Sequence, residues 1–180
     1  MVKIAIITGS TRDARVNMQV AKWVQSIAEQ RKDAEFELVD IKGYNLPKFN
    51  ETNPPVMSGG HYEAPEANIW SEKISEFDGF IFVTPEYNKS IPSGLKDAID
   101  YLYTEWNHKA AGIVSYGSTL GVSATNALRI ILSQTKVAVV GTSVNMSLFA
   151  DFKEMREFDP APHNEETLIN LLDEVVAWSK

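Results

Sequence analysis

Residues 4–19 read IAIITGSTRDARVNMQ, which predicts a buried strand, a polar loop and the start of a helix in direct succession. The apolar run Ile4–Ile7 is short and rich in β-branched residues, which is typical of a strand covered on both faces. Past the loop, apolar residues recur at helical spacing, namely Val20, Trp23, Val24 and Ile27. A loop between such a strand and helix directs free backbone N–H groups and the positive end of the helix dipole at one point.

The loop also carries side chains that suit an anion. Hydroxyl, guanidinium and amide donors are contributed by Ser10, Thr11, Arg12 and Asn17. The dinucleotide fingerprint GxGxxG is missing, since Gly9 stands alone between residues 1 and 42, and the Walker pattern is missing too. A site built from side chains suits a terminal phosphate monoester better than a buried pyrophosphate. The alternative is an ordinary turn in which Ser10 caps the helix and Arg12 faces solvent.

Composition narrows the classes of function. The 180 residues predict one domain over residues 1–180 with a core covered on both faces. A net charge of −7 argues against nucleic-acid binding, which needs a basic surface. No apolar run approaches the roughly 20 residues that span a bilayer, and no signal-like segment opens the chain. Without cysteine, disulfides and thiolate chemistry are excluded, and we expect a cytoplasmic protein.

Strand-like and helix-period segments alternate along the chain, a pattern that indicates βαβ units and a parallel sheet. Strands are predicted at residues 4–7, 35–40, 79–84, 110–116 and 137–140. Helices are predicted from about residue 16 and over residues 66–75, 95–103, 123–133 and 165–178, the last capped by Asn164. A long loop is predicted over residues 42–64, and a second loop through Asn145 and Phe149 precedes a charged stretch with Pro160 and Pro162. We expect a three-layer α/β/α fold with a doubly wound five-stranded parallel sheet of order 2-1-3-4-5, and a ligand crevice beside strands 1 and 3.

The loops after strands 3 and 4 carry residues that suit a planar ligand. Thr84-Pro-Glu-Tyr-Asn88 supplies an aromatic ring and proline-constrained backbone for a heteroaromatic ring to lie against. Within it, Glu86 is either a general base or a partner of local backbone or a cation, and the second role is favoured. In Ser115-Tyr-Gly-Ser118, Gly117 permits close approach of the backbone to a ring. The alternative for each loop is plain turn chemistry, which three ligand-like loops at neighbouring strand ends disfavour.

Three motifs together resemble the NADPH-dependent FMN reductase family: Gly9-Ser-Thr-Arg12, Pro85-Glu-Tyr-Asn88 with Ile91-Pro-Ser-Gly-Leu-Lys-Asp-Ala-Ile-Asp100, and Tyr116-Gly117. The resemblance implies a flavodoxin-like fold and an oxidoreductase that passes a hydride from NADPH through bound FMN to a small acceptor (a flavin, quinone, chromate or azo compound). It implies FMN phosphate contacts at Ser10, Arg12, Asn17 and Met18. It implies flavin-ring contacts at Pro85, Glu86, Tyr87 and Asn88, with further contacts at Tyr116, Gly117 and Ser118. No catalytic side chain is named, because the cofactor performs the chemistry.

Two positions depart from the family pattern, since many members have serine at Arg15 and glycine at Lys89. Arg15 either strengthens the phosphate site or faces solvent, and Lys89 either attracts the NADPH phosphates or narrows the cleft. The preference for NADPH over NADH stays open, with Arg15, Lys89 and Lys109 as candidate readers of the 2′-phosphate. Family members are commonly dimers or tetramers, so we expect a homodimer or homotetramer with contacts at Trp106 and the helix over residues 95–103.

Two other functions are weighed against this one. A flavodoxin-type electron carrier binds FMN without reacting with NADPH, but its phosphate loop usually lacks an arginine, so Arg12 disfavours it. A serine hydrolase would combine a serine, an aspartate and a histidine drawn from Ser115, Ser118, Asp151, Asp159 and His163. The GxSxG motif of such hydrolases is missing. A metal site is not expected, because the three histidines lie far apart without ligand spacing.

Overall fold

The computed structural model describes residues 1–180 as a five-stranded parallel sheet with helices on both faces. The strands are β1 (Val2–Thr8), β2 (Ala34–Val39), β3 (Gly79–Pro85), β4 (Ala110–Gly117) and β5 (Ala138–Ser147). The helices are α1 (Asn17–Ala28), α2 (Pro65–Ser75), α3 (Ser93–Asp100), α4 (Val122–Gln134) and α5 (His163–Trp178). The order β2-β1-β3-β4-β5 confirms the predicted α/β fold of flavodoxin-like topology.

The sheet divides the core into two layers because successive side chains of a strand point to opposite faces. Ile4 and Ile6 of β1 pack in the layer that contains α1 and α5. Ala5 and Ile7 pack in the layer that contains α2, α3 and α4. Both β3 and β4 are buried along their whole length, which explains why their sequences are almost uninterruptedly apolar.

The carboxyl ends of the central strands bring three loops together at one edge of the sheet. Thr8 at the end of β1 lies opposite Val83 of β3, and Pro85 at the end of β3 lies opposite Tyr116 of β4. The loops after β1, β3 and β4 therefore start side by side, as the predicted strand order requires. None of the helices has the length and apolar character needed to cross a bilayer.

Three boundary predictions are wrong: the end of β5, the start of α5 and the end of α3. Strand β5 was expected to end at Val140 but continues to Ser147. The prediction failed because β5 is an edge strand, so only alternate residues such as Val144 and Met146 are buried and apolar. The polar residues between them resemble a loop in the sequence. Asn164 does not cap α5: it lies in the first turn and its Nδ2 donates to Asp151 Oδ1 at 2.8 Å.

The predicted subunit contact at Trp106 is also wrong. Trp106 is fully buried, its ring centroid lies 4.9 Å from that of Phe80, and its Nε1 donates to the carbonyl of Ile99 at 3.1 Å. Its helical neighbour α3 ends at Asp100 rather than near residue 103. Trp106 is therefore a core residue that cannot reach a second subunit. The homodimer or homotetramer stays a prediction.

A small antiparallel hairpin, β6 (Phe152–Lys153) and β7 (Glu157–Phe158), follows β5 where the sequence indicated only a charged loop. Arg156 N donates to the carbonyl of Lys153 at 3.0 Å and closes the turn. The two turn residues, Glu154 and Met155, have φ of 49° and 57°. Sequence analysis missed this hairpin because such turns normally contain glycine or asparagine at left-handed positions.

Candidate functional site

The loop after β1 is held in shape by the buried side chain of Asn17. Its Oδ1 accepts from the N–H groups of Gly9 at 3.0 Å and Ser10 at 3.3 Å, and its Nδ2 donates to the carbonyl of Val83 at 2.9 Å. Gly9 leaves no room for a side chain, since an added Cβ would lie 2.7 Å from that same carbonyl oxygen. The Asn17 amide is thus committed to backbone partners and positions the loop.

The start of α1 has no protein cap. The N-cap residue Val16 offers no side-chain acceptor, and the first turn contains no acidic residue. No backbone N–H from Thr11 to Met18 donates to an acceptor of the protein. Serine, threonine, aspartate or asparagine normally occupies the N-cap and accepts from these donors. Free N–H groups at the positive end of a helix form a site that fits an anion.

Arg15 closes the loop from behind. Its guanidinium donates to the carbonyl of Ser10 at 2.5 Å and to the two carboxylate oxygens of Asp40 at 3.0 and 2.5 Å. Burial raises the pKa of Asp40, but the hydrogen bonds from Arg15 and Thr8 outweigh it, so the pKa is lowered overall. Of the two roles considered for Arg15, solvent exposure is wrong, because its side chain is only 10% exposed. Its charge is neutralised by Asp40.

Arg12 and Ser10 instead face the loop after β3. Ser10 Oγ lies 3.3 Å from Tyr87 Oη, and an Arg12 NH1 donor lies 3.4 Å from the same oxygen. The Arg12 guanidinium also lies 5.8 Å from the centre of the Tyr87 ring, within the range of a cation–π contact. Arg12 has no carboxylate partner. The loops after β1 and β3 thus meet at the Tyr87 side chain.

The loop after β3 closes as a two-residue turn. Tyr87 N donates to the carbonyl of Ser90 at 2.9 Å, and Ser90 N donates back to the carbonyl of Tyr87 at 3.0 Å. The residues between them, Asn88 and Lys89, have φ of 49° and 66°. Asparagine followed by glycine is the preferred pair for this geometry, so Lys89 holds a conformation that its Cβ disfavours. Lys89 Nζ donates to Thr119 Oγ1 at 3.0 Å.

Glu86 joins this loop to the start of α4. Its carboxylate accepts from the N–H of Ser123 and the hydroxyl of Thr119, both at 3.0 Å, and lies 3.5 Å from Lys89 Nζ. Burial raises the pKa of Glu86. The hydrogen bonds and the charge of Lys89 lower it by more, so the pKa is lowered overall. Glu86 therefore pairs with backbone and with a cation, which is the role that the sequence favoured over that of a general base. Gly117 is required beneath it, because an added Cβ would lie 2.9 Å from Glu86 Cβ.

A cleft of about 620 Å³ lies between the loops after β1 and β3, the end of β4 and the β6–β7 hairpin. Of the predicted site residues, five line it: Arg12, Pro85, Glu86, Tyr87 and Tyr116. The remaining six lie in or next to the same loops without lining the cleft. Ser10, Asn17 and Gly117 are buried, Met18 is half-buried in the first turn of α1, and Asn88 and Ser118 are exposed. Burial raises the pKa of the Tyr116 phenol, so this hydroxyl is neutral at physiological pH.

Seven further residues line the cleft. Ala14, Arg15 and Val16 belong to the loop after β1, whereas Gln19, Leu148, Met155 and Arg156 were not selected by sequence analysis. Leu148 follows β5, whose length was underestimated, and Met155 and Arg156 belong to the hairpin without a glycine in its turn. One feature of the sequence could have indicated the hairpin. Phe152 and Phe158 stand on either side of a charged segment, and this spacing allows two short strands to pair.

Residues 2–151 match the sequence model of NADPH-dependent FMN reductase. The chain belongs to this family. An NAD(P)H-dependent FMN reductase of Schizosaccharomyces pombe is 35% identical over 159 residues, which cover 88% of this chain and 80% of the relative. A 2-hydroxy-1,4-benzoquinone reductase of a Burkholderia species is 32% identical over 146 residues, covering 81% and 66%. Among solved structures, the flavoenzyme NAD(P)H:(acceptor) oxidoreductase FerB of Paracoccus denitrificans superposes with a TM-score of 0.75 at 21% identity, over 99% of this chain and 97% of that one.

Membership of the FMN reductase family makes the chain an FMN-dependent oxidoreductase that uses NAD(P)H. It also favours a reductase over the electron-carrier alternative, because the family is named for NADPH-dependent FMN reduction. Two of the residues named for the hydrolase alternative, Ser115 and Asp151, are committed to other partners. Ser115 is fully buried, and its Oγ pairs with Thr125 Oγ1 at 2.9 Å and Asn145 Nδ2 at 2.7 Å rather than with a histidine. The carboxylate of Asp151 is occupied by Ser147 N and by Asn164.

The structure separates the three candidate readers of an NADPH phosphate. Lys109 precedes β4 and lies at the amino edge of the sheet, opposite the cleft, where its Nζ packs 5.4 Å from the Phe80 ring centre. Burial lowers the pKa of Lys109. Arg15 is paired with Asp40. Only Lys89 lies beside the cleft with a largely exposed side chain.

Proposed function

We propose that FMN binds in this cleft, with its phosphate at the loop after β1 and its ring beside the loops after β3 and β4, and that the enzyme reduces small quinones with NAD(P)H. The observation that carries the proposal is the uncapped start of α1 next to an Arg12 that has no carboxylate partner. A phosphate dianion would accept from both, and charge-assisted hydrogen bonds of this kind are the strong ones.

The four residues predicted to contact the phosphate fall into two pairs, one that offers side-chain donors and one that offers backbone N–H groups. Arg12 and Ser10 present a guanidinium and a hydroxyl whose only recorded side-chain partner is Tyr87. Asn17 and Met18 present backbone N–H groups in the first turn of α1. The Asn17 side chain acts as a positioning group, since its amide holds Gly9 and Ser10 in place.

The ring residues contribute mainly backbone and shape. Pro85, Glu86, Tyr87 and Asn88 form a closed turn that presents peptide groups at the end of β3, and Tyr116, Gly117 and Ser118 end the next strand. The Glu86 carboxylate accepts from Thr119 and from the N–H of Ser123 at the start of α4, and its lowered pKa keeps it ionised, so it serves as a hydrogen-bond acceptor rather than moving a proton. The cleft volume of about 620 Å³ lies within the usual range of small-molecule sites, roughly 300–1,000 Å³.

Bound FMN supplies the electron transfer between NAD(P)H and the acceptor. The protein binds the cofactor, orients its ring and shields it from water. Two ionisable groups of the cleft lining do not titrate near neutral pH, because the lowered pKa of Glu86 keeps it a carboxylate and the raised pKa of Tyr116 keeps its phenol neutral. We therefore assign no catalytic acid or base.

The quinone assignment rests on the Burkholderia relative and on the wall of the cleft. That relative is named as a benzoquinone reductase. Tyr87, Leu148 and Met155 give the cleft an aromatic and aliphatic wall, which suits a flat, weakly polar ring. The other acceptors that the resemblance implies, namely free flavin, chromate and azo compounds, serve as comparisons in the test.

The proposal is tested by titrating the purified protein with FMN and riboflavin, then adding anaerobic NADPH and a quinone. We expect FMN to bind more tightly than riboflavin, NADPH to bleach the oxidised flavin band, and benzoquinone to restore it. Arg12→Ala should weaken FMN binding about tenfold or more while leaving riboflavin binding unchanged. Arg129→Ala is the matched control, since Arg129 donates to the carbonyl of Gly141 away from the cleft. Equal affinities for FMN and riboflavin would contradict the proposal, and so would a bound flavin that stays oxidised after NADPH is added.

A further inference from the structure

Arg156 is the cation on the far side of the cleft. It lies in the β6–β7 hairpin and lines the same cleft as Arg12. Its guanidinium makes no hydrogen bond and no ion pair, although Glu154 and Glu157 are close in sequence. Lys153 instead pairs with Glu157 and Asp159, at 4.0 and 3.2 Å. The family match ends at residue 151, so it does not account for Arg156.

The backbone of Arg156 is fixed although its side chain is free. Gln19 of α1 donates from Nε2 to the carbonyl of Arg156 at 2.9 Å and accepts at Oε1 from the N–H of Phe158, also at 2.9 Å. The Phe158 ring packs on Phe152 and on Trp23 of α1, with centroids 5.1 and 5.4 Å apart. The hairpin is thus attached to the helix whose first turn forms the anion site.

The charge in the cleft is positive even though the chain is acidic. Three of the five arginines line it, against a net charge of −7 for the whole chain. Arg15 is neutralised by Asp40, and the one carboxylate of the lining, Glu86, is used by the start of α4 and by Lys89. Two guanidinium groups, those of Arg12 and Arg156, are left without a carboxylate.

We infer that Arg156 is a second phosphate-recognition residue, and that the β6–β7 hairpin is the device that carries it to the cleft. The ligand group is a phosphate monoester, which the proposed function supplies from two sources: the 5′-phosphate of FMN and the 2′-phosphate of NADPH. The inference rests on that proposed function. An arginine suits the task because its planar fork binds two phosphate oxygens together. Gln19 is a positioning residue for it.

The test compares Arg156→Ala with Lys153→Ala in the full chain. Both variants remove one cation from the same hairpin, but Lys153 does not line the cleft. For each, the dissociation constants of FMN and riboflavin are measured by flavin fluorescence, and kcat/KM is measured with NADPH and with NADH on FMN-loaded enzyme. We expect Arg156→Ala to weaken recognition of one phosphate-bearing ligand about tenfold or more, Arg156→Lys to restore part of it, and Lys153→Ala to match the wild type. Gln19→Ala should reproduce a fraction of the Arg156→Ala effect.

The pattern of losses identifies the source of the phosphate. A loss for FMN but not riboflavin assigns Arg156 to the cofactor, and a loss for NADPH but not NADH with unchanged FMN binding assigns it to the reductant. Equal losses for ligands with and without the phosphate, or no loss at all, would overturn the inference. If the wild type itself binds no FMN, the proposed function fails; if the wild type binds FMN and Arg156→Ala behaves like it throughout, only the inference about Arg156 fails.

Discussion

The loops after β1 and β3 lie side by side but are built in opposite ways. The first, residues 9–16, makes few hydrogen bonds of its own and is shaped by side chains, the Asn17 amide in front and the Arg15–Asp40 pair behind. The second, residues 85–90, is shaped by its own backbone, through the reciprocal hydrogen bonds of Tyr87 and Ser90. The loop after β1 leaves the N–H groups of residues 11–16 free for an anion, whereas in the loop after β3 the N–H groups of Tyr87 and Ser90 donate to carbonyls of the loop itself.

This difference predicts how each loop responds to mutation. A loop held open by buried side chains loses its shape when one of them is removed, because the freed backbone groups are left without partners. A loop closed by backbone hydrogen bonds retains its shape when an exposed side chain changes. The comparison therefore predicts large effects when the buried side chains of residues 9–17 are removed, and small ones when the exposed side chains of residues 85–90 are changed.

The largest effect is expected from Asn17→Ala. This change removes the one acceptor of Ser10 N and a second partner of both Gly9 N and the Val83 carbonyl, which still bond each other at 2.7 Å, and it empties a fully buried position. We expect the free energy of unfolding to fall by roughly 2–4 kcal/mol, measured by urea denaturation. FMN affinity should fall with it, because the start of α1 loses its orientation.

The matched control is Asn88→Ala in the other loop. Asn88 is exposed, its side chain makes no recorded hydrogen bond, and only its φ of 49° favours asparagine. We expect a loss of about 0.5–1 kcal/mol from the left-handed backbone alone. If the two asparagine substitutions had equal effects on stability, the proposed contrast between the loops would be incorrect.

The intermediate effect is expected from Arg15→Ala, and it depends on pH. The variant leaves the half-buried carboxylate of Asp40 without its cation, so the free energy of unfolding at neutral pH should fall by roughly 1–3 kcal/mol. Asp40 has a lowered pKa in the folded protein. Its contribution is therefore present above the unfolded value of about 3.9 and is lost as the pH falls through the lower folded value.

The difference between wild type and Arg15→Ala should accordingly shrink as urea denaturation is repeated at decreasing pH below about 4. Arg12→Ala provides the comparison within the same loop. Arg12 is exposed and has no carboxylate partner, so its removal should change stability by less than about 0.5 kcal/mol at any pH. A pH-independent cost for Arg15→Ala would show that its hydrogen bond to the Ser10 carbonyl, rather than the ion pair, holds the loop.

The same contrast explains what could be predicted from the sequence. The fold followed from apolar runs and helical spacing, because both depend on neighbouring residues and on burial. The role of Asn17 could not follow, since it depends on the carbonyl of Val83, which is distant in the chain and adjacent only after β1 and β3 pair. Arg156 was missed for the same reason: its position depends on Gln19, far away in the sequence.

The only effect of opposite sign, a small stabilisation, is expected from Lys89→Gly. Lys89 has a φ of 66° at the second position of its turn, where glycine is favoured. Its ammonium group is largely exposed, and solvent screening weakens its contacts with Thr119 and with the buried carboxylate of Glu86. Glu86 also keeps its hydrogen bonds from Thr119 and Ser123 when Lys89 is replaced. Relief of the backbone strain should therefore dominate and stabilise the protein by about 0.5–1 kcal/mol.

Lys89→Gly is best measured beside Lys89→Ala, which removes the same ammonium group but keeps the Cβ. Thermal unfolding of the two variants separates charge from backbone: only the glycine variant should be more stable than the wild type. If both variants are destabilised alike, the contact with Glu86 contributes more than the strain, and the loop after β3 is held by its side chains as well. In that case the two loops would differ in degree rather than in kind, since Glu86 would then serve the second loop as Asn17 serves the first.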